Sequence, residues 1–225
     1  MKREYMEKEF IIKDSGERTT FPSGAVRDLR VNKGMSSLIP SEAWIRVAQI
    51  TPNGFAGIPV SIWIQLAKHY EAGRIKYSDA GNMNLGNENW LKGIYISVYW
   101  DSAVRHLQKI LLGWEDENHY AASIWNMCGM METERRIQAG ILPIDLDNRD
   151  KNTFTMASIS VFSDSKSLLD CWNITMECLL RYKMGWNMVD YLAIAIRETA
   201  KMESWKNTDK DNRDKAQFTT PFEGA

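Results

Sequence analysis

The sequence predicts a mainly α-helical protein, a bundle, and three observations carry that expectation. Apolar residues recur at the three- and four-residue spacing of a helix face, capping or breaking residues bound each such stretch, and period-two alternation is scarce. Residues 1–20, "MKREYMEKEFIIKDSGERTT", are polar and read as a loose segment, and 21–40 are loop-like, punctuated by proline and glycine. "SEAWIRVAQI" then reads as a helix with Ser41 as its N-cap, "TPNGFAGIPV" breaks it, and Ser61 is expected to cap "IWIQLAKHYEAGRIKY". A Gly/Asn-rich loop, "SDAGNMNLGNENWLKG", leads to a helix expected from a Ser97 cap to about Gly113. The acidic "WEDEN" opens the next, which runs to about Gln138 before Gly140 and Pro143 stop it. After the polar linker "DLDNRDKN", helical stretches fall near 164–184 and 187–205, and the remainder reads as a disordered tail. "FTMASISVF" is the best strand candidate, and no internal repeat is visible. The expected organisation is a polar segment over 1–20, a helical domain over 21–147, a C-terminal helical extension over 148–205 and a polar tail over 206–225.

Composition narrows the function classes. A chain of 225 residues that is 44% hydrophobic can bury a core without covalent staples. Twenty-eight basic against 29 acidic side chains leave a net charge of −1, which argues against a duplex nucleic-acid binder. Cys128, Cys171 and Cys178 are odd in number and lack C-x-x-C spacing, which suits reduced thiols. The first twenty residues are too charged for a signal peptide, and no apolar run approaches the roughly 18 residues of a membrane span. A soluble, cytoplasmic protein is expected, with no membrane partner.

Ionisable groups cluster where a plain helical hairpin would not need them. All three histidines, His69, His106 and His119, fall in or beside "DSAVRHLQKILLGWEDENHYAASIWNM". On the helix after Ser61, Ile64, Ala67, Glu71 and Ile75 share a line, so Glu71 points inward and needs a partner: a cation of a neighbouring helix, or a metal or catalytic centre. Next along the chain, Trp100, Val104, Leu107, Leu111 and Trp114 form the expected core stripe, with Asp101 and Arg105 on one flank and His106 on the other. Beyond Glu117, a face of His119, Ala122, Ser123, Asn126 and Gly129 admits close approach, by another helix or by a ligand. Asp116 and Glu117 suit either the positive end of that helix or a hard cation. Walker A, G-x-G-x-x-G, H-E-x-x-H and G-x-S-x-G motifs are absent.

Taken in order, "SGAVRD", "NKG…SLIP", "HYEAGRIKY", "NENWLKGI" and "DSAVRHLQKILLGWEDENHYAASIWN" resemble the phage dATP/dGTP diphosphohydrolase domain, a relative of the all-α, MazG-like NTP pyrophosphohydrolases. The resemblance covers about residues 20–140. It implies a bundle of that type, a Mg²⁺ or Mn²⁺ requirement, cleavage of a purine dNTP to the monophosphate and pyrophosphate, a role in a phage nucleotide pool within the host cytoplasm, and a homo-oligomer. Position by position, Glu71 matches the acidic residue of the "YE.G" helix, and Asn89, Trp90, Lys92 and Gly93 match the "NW.KG" loop. Asp101, Arg105 and His106 match the "D…RH" helix, and Asp116, Glu117, His119 and Asn126 the acidic segment that follows. The chain departs from the pattern at Met35, Ser37, Glu88 and Ala122, and carries additional sequence, "RVAQITPNGFAGIPVSI", before the "HYEAG" helix.

These residues suggest metal-assisted hydrolysis at the α-phosphorus. Glu71, Asp101, Asp116 and Glu117 are the expected metal ligands, with Glu71, Asp101, Glu117 and His119 as the catalytic set. Lys76, Lys92 and Arg105 are candidates for phosphate contacts, Trp90 for stacking on the purine, and Asn89 or Asn126 for hydrogen bonds to base or sugar. His119 has the chemistry of a ligand, an orienting group or a general base. Three other readings fit the same residues: a histidine/aspartate-type phosphohydrolase using His69, His106 and His119, a non-catalytic nucleotide-binding or assembly protein, and a structural helical oligomer.

Overall fold

The computed structural model describes residues 18–28, 33–77, 89–150, 165–186 and 190–205. The strand candidate at 154–162, the tail after 205 and most of residues 1–20 lie outside the described residues. The chain divides into two compact units, Met1–Lys33 and Gly34–Ala225.

In the first unit, β1 (Arg18–Thr20) pairs antiparallel with β2 (Val26–Asp28), with Thr19 opposite Arg27. The turn between them closes through the Phe21 N–H to the Ala25 carbonyl and the Gly24 N–H to the Phe21 carbonyl, with Gly24 at φ +82°. That conformation favours glycine. Polarity hid this hairpin in the sequence, because both strands are short and mostly exposed.

The second unit is the helical bundle: α1 (Ser41–Ile50), α2 (Val60–Lys76), α3 (Ile96–Leu112), α4 (His119–Gln138), α5 (Leu168–Lys183) and α6 (Tyr191–Trp205). Among the described residues, one 3₁₀ turn, Ser36–Leu38, precedes α1, and three lie between helices, at Gly54–Gly57, Asn89–Lys92 and Ile144–Leu146. The starts of the first three helices differ from the expected serine caps. Pro40 (φ −55°) and Pro59 (φ −54°) precede α1 and α2, so the ring already holds the φ a helix needs and Ser41 and Ser61 lie inside the first turn. On α3 the serine at 97 is also inside the helix. Its N–H donates to the Asn148 side-chain oxygen (3.0 Å), and Asn148 Nδ2 donates back to Ser97 Oγ (2.8 Å), so the cap arrives from 51 residues away.

The other ends follow local chemistry. Gly113, at φ +68°, ends α3 in the left-handed conformation, and the Trp114 N–H returns to the Lys109 carbonyl. Asn118 caps α4 by accepting the Ala121 N–H at 3.0 Å, and Ser167 caps α5 by accepting the Asp170 N–H at 3.1 Å. Asp116 and Glu117 therefore precede α4 and are not part of it.

Helix α4 is the central post. From His119 to Thr133 only Trp125 is less than buried, and α4 packs against α1, α2, α3 and α6. Its face of small residues admits α3: a Cβ built on Gly129 would lie 2.4 Å from Tyr99 Cε1, and Ser123 Oγ donates to the Ala103 carbonyl at 3.2 Å. Two tryptophan N–H groups bind α3 and α5 reciprocally, Trp100 to the Leu179 carbonyl (3.0 Å) and Trp172 to the Leu107 carbonyl (3.3 Å). Helix α6 is tied to α1 by Arg197 on the Ile50 carbonyl (3.1 Å) and to α2 by Glu203, which accepts from Ser61 and Gln65.

The buried stripes differ in detail from the expected ones. On α2, Glu71 and Ala67 are buried as expected, but Ile64 (52%) and Ile75 (42%) are exposed, and Ile62, Trp63, Leu66 and Tyr70 fill the core. On α3 the stripe is Ile96, Tyr99, Ala103, Leu107 and Ile110, and it carries His106 inward with it, while Trp114 is exposed.

Candidate functional site

Helices α3 and α4, joined by a short turn, pack closely and bring side chains of one face to face with those of the other. Gly113 ends α3, Asn118 starts α4, and His106 and His119 meet across the gap with their Nδ1 atoms 3.1 Å apart. Both imidazoles are buried. Glu117, immediately before the α4 cap, places Oε1 3.4 Å from His106 Nδ1 and 3.7 Å from His119 Nδ1. The three side chains offer ligand atoms all within 4.8 Å of one another, which among the described residues no other group of His, Cys, Asp or Glu does.

The other face of His119 is also held. Its Nε2 lies 2.8 Å from Asp116 Oδ1, and Lys109 Nζ donates to the second oxygen, Oδ2, at 2.8 Å. That lysine hydrogen bond keeps the Asp116 carboxyl below its ordinary range. Burial pushes His106 down to about 4, against the pull of Glu117, so its imidazole is neutral at neutral pH and has a lone pair to offer. His69, on α2, is lowered by burial in the same way and lies within electrostatic reach of Glu117.

The remaining expected residues lie elsewhere. Glu71 accepts the Gly34 N–H at 2.8 Å, and it lies about 200° around α2 from His69. Asp101 is exposed on α3, and Arg105, also exposed, donates to Ser102 Oγ at 2.9 Å. Lys76 is exposed at the end of α2 with Nζ 5.4 Å from the centre of the Tyr77 ring, and Lys92 is exposed in its 3₁₀ turn. Asn126 is buried and donates to the Ala122 carbonyl of its own helix at 2.8 Å. The structure therefore gathers Asp116, Glu117 and His119 and leaves Glu71, Asp101, Lys76, Lys92, Arg105 and Asn126 outside that cluster.

Asn89 and Trp90 line a second feature, a cleft shared with Tyr70, Arg74 and Trp125. Its walls are aromatic: the Trp90 ring centre is 5.6 Å from that of Tyr70 and 6.4 Å from that of Trp125. Trp125 also packs against His69 at 5.9 Å, so one side chain borders the cleft and the helix that faces the cluster. Sequence reasoning named His106 as a position matched by the resemblance and as a ligand only in the histidine/aspartate-type reading, and placed Lys109, Arg74 and Trp125 in no site. For the pairing of His106 with His119 a signal existed, since the two lie seven and six residues on either side of Gly113, where α3 ends.

Two buried imidazoles and one carboxylate thus meet at the elbow between α3 and α4 of a mainly helical chain, with the aromatic cleft in the same unit. The family model described as dATP/dGTP diphosphohydrolase, N-terminal, matches residues 24–140, more than half of the chain, and the chain belongs to that family. No curated protein and no solved structure matches it. The matched residues contain α1 to α4, the cluster and the cleft, whereas α5 and α6 lie beyond them. Among the described residues no helix is long and apolar enough to cross a membrane.

Proposed function

We propose that the protein hydrolyses a purine deoxynucleoside triphosphate, dATP or dGTP, to the monophosphate and pyrophosphate with the help of a divalent ion. The observation that carries this reading is the convergence of His106, Glu117 and His119 inside the residues matched by the family. Their donor atoms suit one divalent ion, which when bound would supply positive charge to phosphate oxygens and acidify a water. His106, Glu117 and His119 would hold it, and Asp116, fixed by Lys109, would orient His119. His69, neutral through burial, is suited to take the proton of the attacking water. The oxygen of that water joins the α-phosphorus as the bond to the β-phosphate oxygen breaks and pyrophosphate leaves.

The cleft suits the base. Trp90, Trp125 and Tyr70 present aromatic faces, the Asn89 amide can pair with a purine edge, and Arg74 adds positive charge. A homo-oligomer belongs to the same proposal.

The paired histidines also favour a second reading, a histidine/aspartate-type phosphohydrolase that would release triphosphate and a nucleoside. One experiment separates them: incubation of the protein with dGTP or dATP and Mn²⁺ or Mg²⁺, followed by ³¹P NMR of the products. Monophosphate and pyrophosphate are expected, triphosphate would favour the second reading, and persistence of every dNTP tested would sink both.

A further inference from the structure

We propose that His106, Glu117 and His119 form a mononuclear site for a borderline first-row transition-metal ion, held in preference to Mg²⁺, and that Asp116 is a positioning residue that selects the His119 tautomer. The inference names the ion class of the centre described above, and rests on the hydrolase reading only for the reaction that ion serves.

Geometry is the first argument. Two ligand atoms each about 2.1 Å from one ion, at about 90–110° to each other, lie about 3.0–3.4 Å apart. The His106 Nδ1 to His119 Nδ1 separation is 3.1 Å, and Glu117 Oε1 is 3.4 and 3.7 Å from the two nitrogens. All three atoms can therefore reach one ion with little movement.

Tautomer chemistry is the second. The Asp116 carboxylate only accepts hydrogen bonds, so a contact of 2.8 Å fixes the His119 proton on Nε2 and leaves Nδ1 bare, aimed at His106 and Glu117. Lys109 holds the other Asp116 oxygen, which keeps that carboxylate from swinging in as a ligand. Buried ligands with one anchored partner, as His119 has, are the arrangement that tunes metal centres and raises ligand basicity.

Donor type decides the ion. Mg²⁺ demands oxygen ligands and keeps its waters, whereas two imidazoles and one carboxylate suit Fe²⁺, Co²⁺, Ni²⁺ or Zn²⁺, with Mn²⁺ the weakest-held of the first-row divalent series. His106 and His119 are 8% and 2% exposed, but the Glu117 side chain is 43% exposed, so the open side of the centre faces solvent, where water or a phosphate oxygen can enter.

The test uses the full chain with its histidines labelled with ¹⁵N, three resonance sets in all. One equivalent of Zn²⁺, a diamagnetic probe, is expected to move the Nδ1 signals of His106 and His119 to metal-bound positions and leave His69 in place. Mn²⁺ affinity, read by electron paramagnetic resonance without nucleotide, is expected to exceed Mg²⁺ affinity by at least about tenfold in competition. In metal-free D116N, the His119 signals should shift toward the other tautomer at an unchanged melting temperature, and Mn²⁺ should bind about 10–100-fold more weakly. Nδ1 signals unmoved by Zn²⁺, or displacement of Mn²⁺ by equimolar Mg²⁺, overturn the site. An unchanged His119 tautomer in D116N overturns the positioning role. A protein that binds Mn²⁺ through both imidazoles yet hydrolyses no dNTP upholds the site and sinks the hydrolase reading, so the two failures are distinguishable.

Discussion

Gly129 shows how one atom can fix a helix crossing. In the middle of a helix, alanine ordinarily replaces glycine with a gain of about 1 kcal/mol. Here the added Cβ would sit 2.4 Å from a Tyr99 ring carbon, and that ring is buried in the core. Overpacking reverses the sign, so Gly129→Ala should destabilise by about 1–3 kcal/mol in urea titration; a stabilised variant would mean that α3 and α4 can slide apart freely. A second residue sets behaviour in acid. Glu198 is fully buried, and the cost of its burial is outweighed by the Ser165 hydroxyl (2.7 Å), Arg197 (2.7 Å) and Lys201 (3.1 Å), which together lower its pKa. A depressed folded-state value means that the group adds stability above its ordinary value of 4.5 and loses that contribution as the pH falls through the lowered value. Thermal melts from pH 7 to pH 3 should thus show a smaller drop in Glu198→Gln than in the parent, and parallel curves would remove Glu198 from the acid response.

At the scale of elements, the α3–α4 hairpin carries the cluster of His106, Glu117 and His119, and its geometry depends on Asn118. The Asn118 side chain accepts the Ala121 N–H and donates to Gln65 Oε1 on α2, so one cap fixes both the start of α4 and the position of Glu117 beside it. Asn118→Ala should cost about 1 kcal/mol of stability and also weaken Mn²⁺ binding, whereas Asn118→Asp, which keeps the accepting oxygen, should retain most of the stability. Equal metal affinity in the alanine variant would separate the cap from the centre. Much of this hairpin was legible in the sequence. Periodicity located α3 and α4, Gly113 marked the break, and the inward Glu71 followed from its line with Ala67. The caps were not legible, because a proline one or two residues upstream outcompetes serine as a helix start, and because the Asn148 cap on α3 depends on a contact that only the tertiary fold creates. The rotation of the stripes was missed for a related reason. Helices α2 and α3 are each packed against more than one neighbour, so their buried faces are wider than a single line and the exposed isoleucines of α2 carry no inward meaning.

At the scale of the whole molecule, the fold does not stop where the family match does. The match ends at residue 140, yet α6 packs on α1 and α4 and α5 on α3, all within the Gly34–Ala225 unit. The buried apolar side chains of the C-terminal helices pack against the bundle of their own chain. Arg149 closes the junction: it pairs with Asp147 at 2.7 Å and with Glu134 of α4 at 2.9 Å, and its guanidinium lies 4.4 Å from the Tyr182 ring centre on α5. A chain truncated after Asp147 loses all of this at once. Uncovering even three aliphatic side chains, at about 1.5–3 kcal/mol each, is comparable to the net stability of an ordinary domain, about 5–15 kcal/mol. The truncated chain should therefore aggregate, or melt far below the parent without a cooperative transition, and the carbonyls of Leu107 and Leu179 mark why: each receives a tryptophan N–H across the α3–α5 contact, and truncation removes α5 from both pairs. Circular dichroism and light scattering on the two proteins decide the matter. A soluble, cooperatively melting fragment would show that α1 to α4 fold alone and that α5 and α6 are an appendage to a complete bundle.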